Sequence, residues 1–201
     1  MDLNDQISVE KVLQLLCNNK EYYDVLVNCA GIAEADEFIH LSDKSLHTMF
    51  NVNFFAPTAF IKAFINELKT PQAEGILNIV SANGRISYPL LSGYAASNAA
   101  LWSLGEALSV ELNSQDLNVT TYVAPAMHSK MQKRLGRVAL RYFKMDGNFP
   151  FDYPKRVAHE AWCAFKDKKD LLVSKDNRWR LWINALFPGV IKKRIRGVWK
   201  K

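Results

Sequence analysis

An α/β fold around a parallel sheet is the architecture this sequence predicts, and three observations carry it. Short apolar runs bounded by turn residues recur along the chain. Long helical patterns lie between them. Strand and helix alternate with no internal repeat and no low-complexity linker, which calls for parallel strands joined by right-handed crossovers.

The first strand is Asp24-Val25-Leu26-Val27-Asn28, an apolar run that ends in the turn-like Asn-Cys-Ala-Gly. The helical pattern of Ser42–Leu68 follows, with apolar residues at Leu46, Met49, Phe50, Val52, Phe54, Phe55, Ala59 and Phe60. Gly75–Ser81 is the second strand, and the Ala- and Leu-rich segment Ser92–Leu112 the next helix. Asn118–Ala124 is the third strand, stopped by Pro125. Residues 126–150 fit neither period. They are basic early (Lys130, Lys133, Arg134, Arg137) and aromatic late (Tyr142, Phe143, Phe149), an excursion suited either to a substrate lid or to an ordinary solvated connection. Pro154–Lys166 opens with proline, as a first helical turn does. Leu171-Leu172-Val173 is a short fourth strand.

Composition bounds the function. A chain of 201 residues that is 49% hydrophobic and 23% charged can bury a real core, which excludes a disordered or collagen-like protein. No apolar run reaches the roughly 18 residues of a membrane span, and the acidic start does not read as a signal peptide. Cys17, Cys29 and Cys163 have no metal-type spacing, so they are expected as free thiols in a reducing compartment, with no metal site. The net charge of +6 is local. Eight basic residues and no acid lie from Arg178 onward, against 18 basic and 20 acidic residues before it. That argues for a basic tail, 178–201, on a near-neutral body, 1–177, and against nucleic acid as a partner.

The residues with chemistry to offer are Ser81, Tyr94 thirteen positions on, and Asn98 four beyond that. Ser81 closes a strand, where open α/β sheets bind ligands. Tyr94 and Asn98 share a helix face. A hydroxyl and a phenol that converge there can polarise a carbonyl and exchange a proton with it.

On these residues the chain resembles the short-chain dehydrogenase/reductase family. Leu26-Val27-Asn28-Cys29-Ala30-Gly31 is similar to the family's Asn-Asn-Ala-Gly motif, Asn51-Val52-Asn53 to its long-helix segment, and Asn78-Ile79-Val80-Ser81 to its catalytic-serine strand. Tyr94-Ala95-Ala96-Ser97-Asn98 stands at the Tyr-x-x-x-Lys motif, and Val123-Ala124-Pro125-Ala126 at the Pro-Gly motif. The resemblance implies strands four to seven of a Rossmann-like sheet with flanking helices, without the N-terminal half. It implies an oxidoreductase that exchanges a hydride between NAD or NADP and a small carbonyl or alcohol, of lipophilic character. Tyr94 would move the proton, Ser81 would hold the substrate oxygen, and Asn53 would anchor a water. Asn98 stands where the family has its lysine. Asp2, Asn28, Ala30, Gly31, Tyr94, Asn98, Pro125 and His128 would line the cofactor. Family members pair through the two long helices, so a homo-oligomer through 42–68 and 92–112 is expected.

Three departures qualify this. No two of the nine glycines lie closer than eight positions, so no Gly-x-Gly-x-x-Gly turn is present for a pyrophosphate. The implied fold therefore begins near the end of the family's third strand, which leaves Val25–Val27 at an edge. Asn98 supplies no charge to lower the tyrosine pKa from about 10. Ala126 replaces a glycine. An impaired enzyme is the leading expectation, and a non-catalytic relative that serves as a binding or scaffold protein is the alternative.

The tail has Trp179, Trp182, Phe187 and Trp199 among its basic residues, and Pro188-Gly189 should divide it into two short helices. Such a segment suits an anionic membrane surface, or else a C-terminal helix docked on its own domain with its charges in solvent. The expected location is cytoplasmic, peripheral on a membrane that faces the cytosol.

Overall fold

The computed structural model describes residues 1–143 and 151–199. Phe149 of the expected lid, and Lys200 and Lys201 of the tail, lie outside the described residues. Four parallel strands, β1 (Val25–Asn28), β2 (Gly75–Ser81), β3 (Asn118–Ala124) and β4 (Leu171–Val173), stand side by side in chain order. The register pairs Asn28 with Asn78, Asn78 with Thr121 and Ser81 with Ala124.

Side chains alternate across β2 and β3 as a pleated sheet requires. Ile76, Val80, Val119 and Val123 face a core shared with Ile61, Phe64, Leu101 and Trp102, from α3 (Ala56–Ala63), the turn that follows it and α4 (Ser92–Glu111). Leu77 and Tyr122 face the other way, onto Val157, Ala161 and Phe165 of α6 (Pro154–Lys166). The sheet thus has helices on both faces, which is why its strands read as nearly continuous apolar runs.

The segment expected as one helix over Ser42–Leu68 is a compound element. After α1 (Gln6–Asn18), which the sequence reading did not pick out, come α2 (Asp43–Phe50), a π-helical turn (Asn51–Phe55), α3 and a second π turn (Phe64–Leu68). Ser42 caps α2 by accepting a hydrogen bond from the Ser45 N–H. The lid region is more regular than its sequence suggests, because α5 occupies Lys130–Tyr142. Its basic and apolar residues separate onto opposite faces at a helical period. The tail divides at Pro188 as expected, into α7 (Lys175–Leu186) and α8 (Pro188–Val198), but α7 begins three residues before 178.

Close packing depends on two glycines of α4. A Cβ on Gly93 would meet Met49 Cε at 2.6 Å, and one on Gly105 would collide with Thr121 Oγ1. These contacts let α4 approach α2 and β3 closely.

Candidate active site

Ser81 is the last residue of β2 and Tyr94 lies in the first turn of α4, so both stand at the carboxyl end of the sheet. The chain between them folds back tightly. Ser81 Oγ accepts from the Asn83 N–H at 3.2 Å, and a Cβ on Gly84 would lie 3.1 Å from the Ala99 nitrogen. Leu90 holds φ at 71° while buried, a costly conformation for leucine, and its carbonyl accepts from the Asp36 N–H at 3.0 Å.

Asn98 braces this geometry. Its Oδ1 accepts the Ser81 N–H at 3.0 Å, and its Nδ2 donates to the Tyr94 carbonyl at 3.0 Å. The phenol of Tyr94 is pushed above its ordinary pKa, first by burial. Hydrogen bonds from Ser81 and Asn98 pull the other way and are outweighed. Both opposing groups are neutral, so nothing in this balance favours phenolate as a cation would.

Asn53 sits within the first π turn and is buried. Its Oδ1 accepts the Ile32 N–H at 2.8 Å, and its Nδ2 donates to the Ile32 carbonyl and to Ser97 Oγ, each at 2.9 Å. Ser97 in turn donates to the Tyr94 carbonyl at 3.0 Å. A continuous polar path therefore runs from the loop after β1 to the tyrosine turn. Ser97 was missed in the sequence. Its signal was a hydroxyl three positions after Tyr94 on a helix otherwise rich in alanine.

The remaining expected residues divide. Asn28 donates through Nδ2 to Asn78 Oδ1 at 2.8 Å, tying β1 to β2 at the same sheet end. Cys29, Ala30 and Gly31 form an exposed shelf just beyond it. Pro125 is buried directly after β3. The His128 amide donates to the Asp152 carbonyl at 2.9 Å, and its ring packs 5.2 Å from Tyr153. Asp2 is exposed, and its Oδ1 accepts from the Asn4 N–H within the first turn of the chain.

For a nicotinamide cofactor these residues make a divided fit. The Cys29–Gly31 backbone is exposed beside Asn53, which leaves it accessible to a ligand. No glycine-rich turn is present in the sequence for the pyrophosphate.

Two neighbouring elements close on the site. The Arg134 guanidinium of α5 donates to the Ala33 carbonyl beyond β1. Arg180 of α7 donates to Tyr88 Oη, and Asn184 Nδ2 to the Arg85 carbonyl at 3.1 Å, so α7 braces the loop between Ser81 and Tyr94.

Comparison with known proteins identifies the family and the fold. The profile of the short chain dehydrogenase family matches residues 1–138. Dehydrogenase/reductase SDR family member 7B of Rattus norvegicus is 29% identical over 160 residues, 76% of this chain and 48% of that protein. Short-chain dehydrogenase fogD of Aspergillus ruber is 32% identical over 133 residues, 64% of this chain and 46% of that one. The chain spans about half the length of the curated relatives it matches. Among solved structures, a short-chain dehydrogenase from Streptomyces avermitilis superposes with a TM-score of 0.74 at 21% identity, over 98% of this chain and 79% of that one. One from Sphingobium yanoikuyae in complex with NADPH gives 0.73 at 20% identity, over 95% and 73%. A 4-hydroxyisoleucine dehydrogenase complexed with NADH and succinate gives 0.71 at 22% identity, over 86% and 75%. These structures establish the shared fold.

Proposed function

The chain belongs to the short chain dehydrogenase family, and on that premise we propose that it acts as an NAD(P)-dependent oxidoreductase of a small, lipophilic carbonyl or alcohol. The observation that carries this reading is the pairing of Ser81 with a half-buried, neutral Tyr94 at the carboxyl end of the sheet. The nicotinamide, when bound, supplies or takes up the hydride. Ser81 Oγ holds the substrate oxygen. Tyr94 Oη gives that oxygen its proton on reduction and takes it back on oxidation. Asn98 and Ser97 hold the tyrosine turn, and Asn53 fixes the loop that ends the cofactor shelf. Asn28, Ala30, Gly31, Pro125, His128 and Asp2 would hold the cofactor. Affinity for NAD(H) or NADP(H) is millimolar or weaker without a pyrophosphate turn, which calorimetry on this chain measures. The test of the reading is Tyr94→Phe, which should lower carbonyl reduction by roughly 100-fold or more. Activity unchanged in this variant would overturn it.

A non-catalytic binding or scaffold role is the second reading. It is supported by the neutral Asn98, whose amide is engaged on Ser81 and Tyr94. A wild-type chain that turns over no carbonyl with either cofactor, yet stays folded, favours it.

Residues 1–177 would carry the chemistry and 178–201 would attach the protein peripherally to an anionic membrane on its cytosolic side. Trp179, Trp182, Leu186, Phe187 and Val190 are exposed on α7 and α8 amid basic side chains, which supports this. No helix of the described residues is long and apolar enough to cross a membrane. Homo-oligomerisation through 42–68 and 92–112 is supported by the exposed Phe55 and Val110.

A further inference from the structure

Helix α5 sets Lys130, Lys133 and Arg137 at positions i, i+3 and i+7, on one side of the helix. These three side chains border an open surface groove of about 530 Å³, also lined by Leu140 of the same helix and Phe151 from the chain that leads into α6. A volume in that range suits a small molecule. Gly136 leaves the helix backbone bare in the wall, with nothing within 4 Å of where a Cβ would stand.

The charge here is unbalanced. No acidic residue occurs from Ala126 to Met145. Elsewhere cations find partners: Arg85 with Glu106, Lys166 with Glu74 and Lys169 with Asp167. Among the described residues no ion pair involves Lys130, Lys133 or Arg137. The groove therefore combines three cations that have no ion-pair partner among the described residues with the apolar Leu140 and Phe151. Arg134, on the same helix, donates to the Ala33 carbonyl, which ties α5 to the loop after β1.

We propose that this groove is a recognition subsite for the anionic head group, carboxylate or phosphate, of a substrate whose remainder is apolar. The cations neutralise the head, and Leu140 and Phe151 cover adjoining hydrocarbon. The word substrate rests on the oxidoreductase reading, but the binding does not, because it requires no cofactor.

The test is calorimetric titration of the full chain, without cofactor, with decanoate, decyl phosphate, decanol and inorganic phosphate below micelle-forming concentrations. The two amphiphilic anions should bind at least about tenfold more tightly than decanol and than inorganic phosphate. Lys133→Gln/Arg137→Gln, both at exposed positions, should weaken the amphiphilic anions about fivefold or more and leave decanol unchanged. Lys11→Gln/Lys155→Gln removes the same charge elsewhere and should change nothing. Equal binding of decanol and decanoate overturns the proposal. So does a Lys133→Gln/Arg137→Gln variant that binds like wild type, or inorganic phosphate that binds as well as decyl phosphate. Loss of turnover in Tyr94→Phe with anion binding intact locates a result in the chemistry, and the reverse locates it in the subsite.

Discussion

Tyr94 and Asn98 make the sharpest predictions at the level of single residues. Burial holds the phenol above its ordinary pKa, so it stays protonated throughout the neutral range. Carbonyl reduction uses that protonated form and should be flat from about pH 6 to pH 9. Alcohol oxidation needs phenolate and should rise about tenfold per pH unit, still climbing at about pH 10. The linkage has one sign. A phenol whose folded pKa is raised lends stability below about pH 10 that is lost as pH rises through the folded value. Asn98→Lys places a cation beside the phenol and should shift the oxidation limb to lower pH. It also removes the acceptor for the Ser81 N–H, at a cost of about 1–3 kcal/mol in urea unfolding, and should not by itself restore family-like rates. Gly105→Ala should cost about 1–3 kcal/mol by driving a methyl into Thr121, whereas Gly197→Ala, with open space around it, should gain up to about 1 kcal/mol. The spacing of Ser81, Tyr94 and Asn98 was legible in the sequence because it is set by one strand end and one helix turn. The role of Ser97 was not, since it depends on Asn53 reaching across from another helix.

Among the elements, all four strands were legible, because buried parallel strands read as compact apolar runs. The helices were less so. A π turn keeps the apolar composition of a helix while changing its period, so two of them pass unseen inside Ser42–Leu68. α1 buries only Val9 fully, which leaves a weak apolar stripe to detect. The tail was expected either to dock or to meet a membrane, and part of it docks. Leu181 packs towards the core and Ile191 is buried, while Trp179 and Trp182 are 50% and 63% exposed on the other side. Trp179→Ser/Trp182→Ser should therefore leave the thermal midpoint nearly unchanged. It should also reduce sedimentation with anionic vesicles, each basic residue near such a surface contributing about 1 kcal/mol. Wild-type binding should fall as salt rises, since screening acts over about 8 Å at physiological ionic strength. Equal pelleting of wild type and variant would show that α7 does not face lipid.

For the whole molecule, self-association is the property most open to measurement. Light scattering at tens of micromolar should report an oligomer, and Phe55→Glu/Val110→Glu should convert it to a monomer without unfolding it, since both residues are exposed in the single chain. The order of the sheet has another consequence, for how the chain is made. Its strands stand in the sequence in which they leave the ribosome, β1, β2, β3, β4, and each pairs with the one synthesised before it. No late strand has to be threaded between two early ones. These four strands can therefore be added one after another along one edge during translation, with α4 available to cover β2 before β3 arrives.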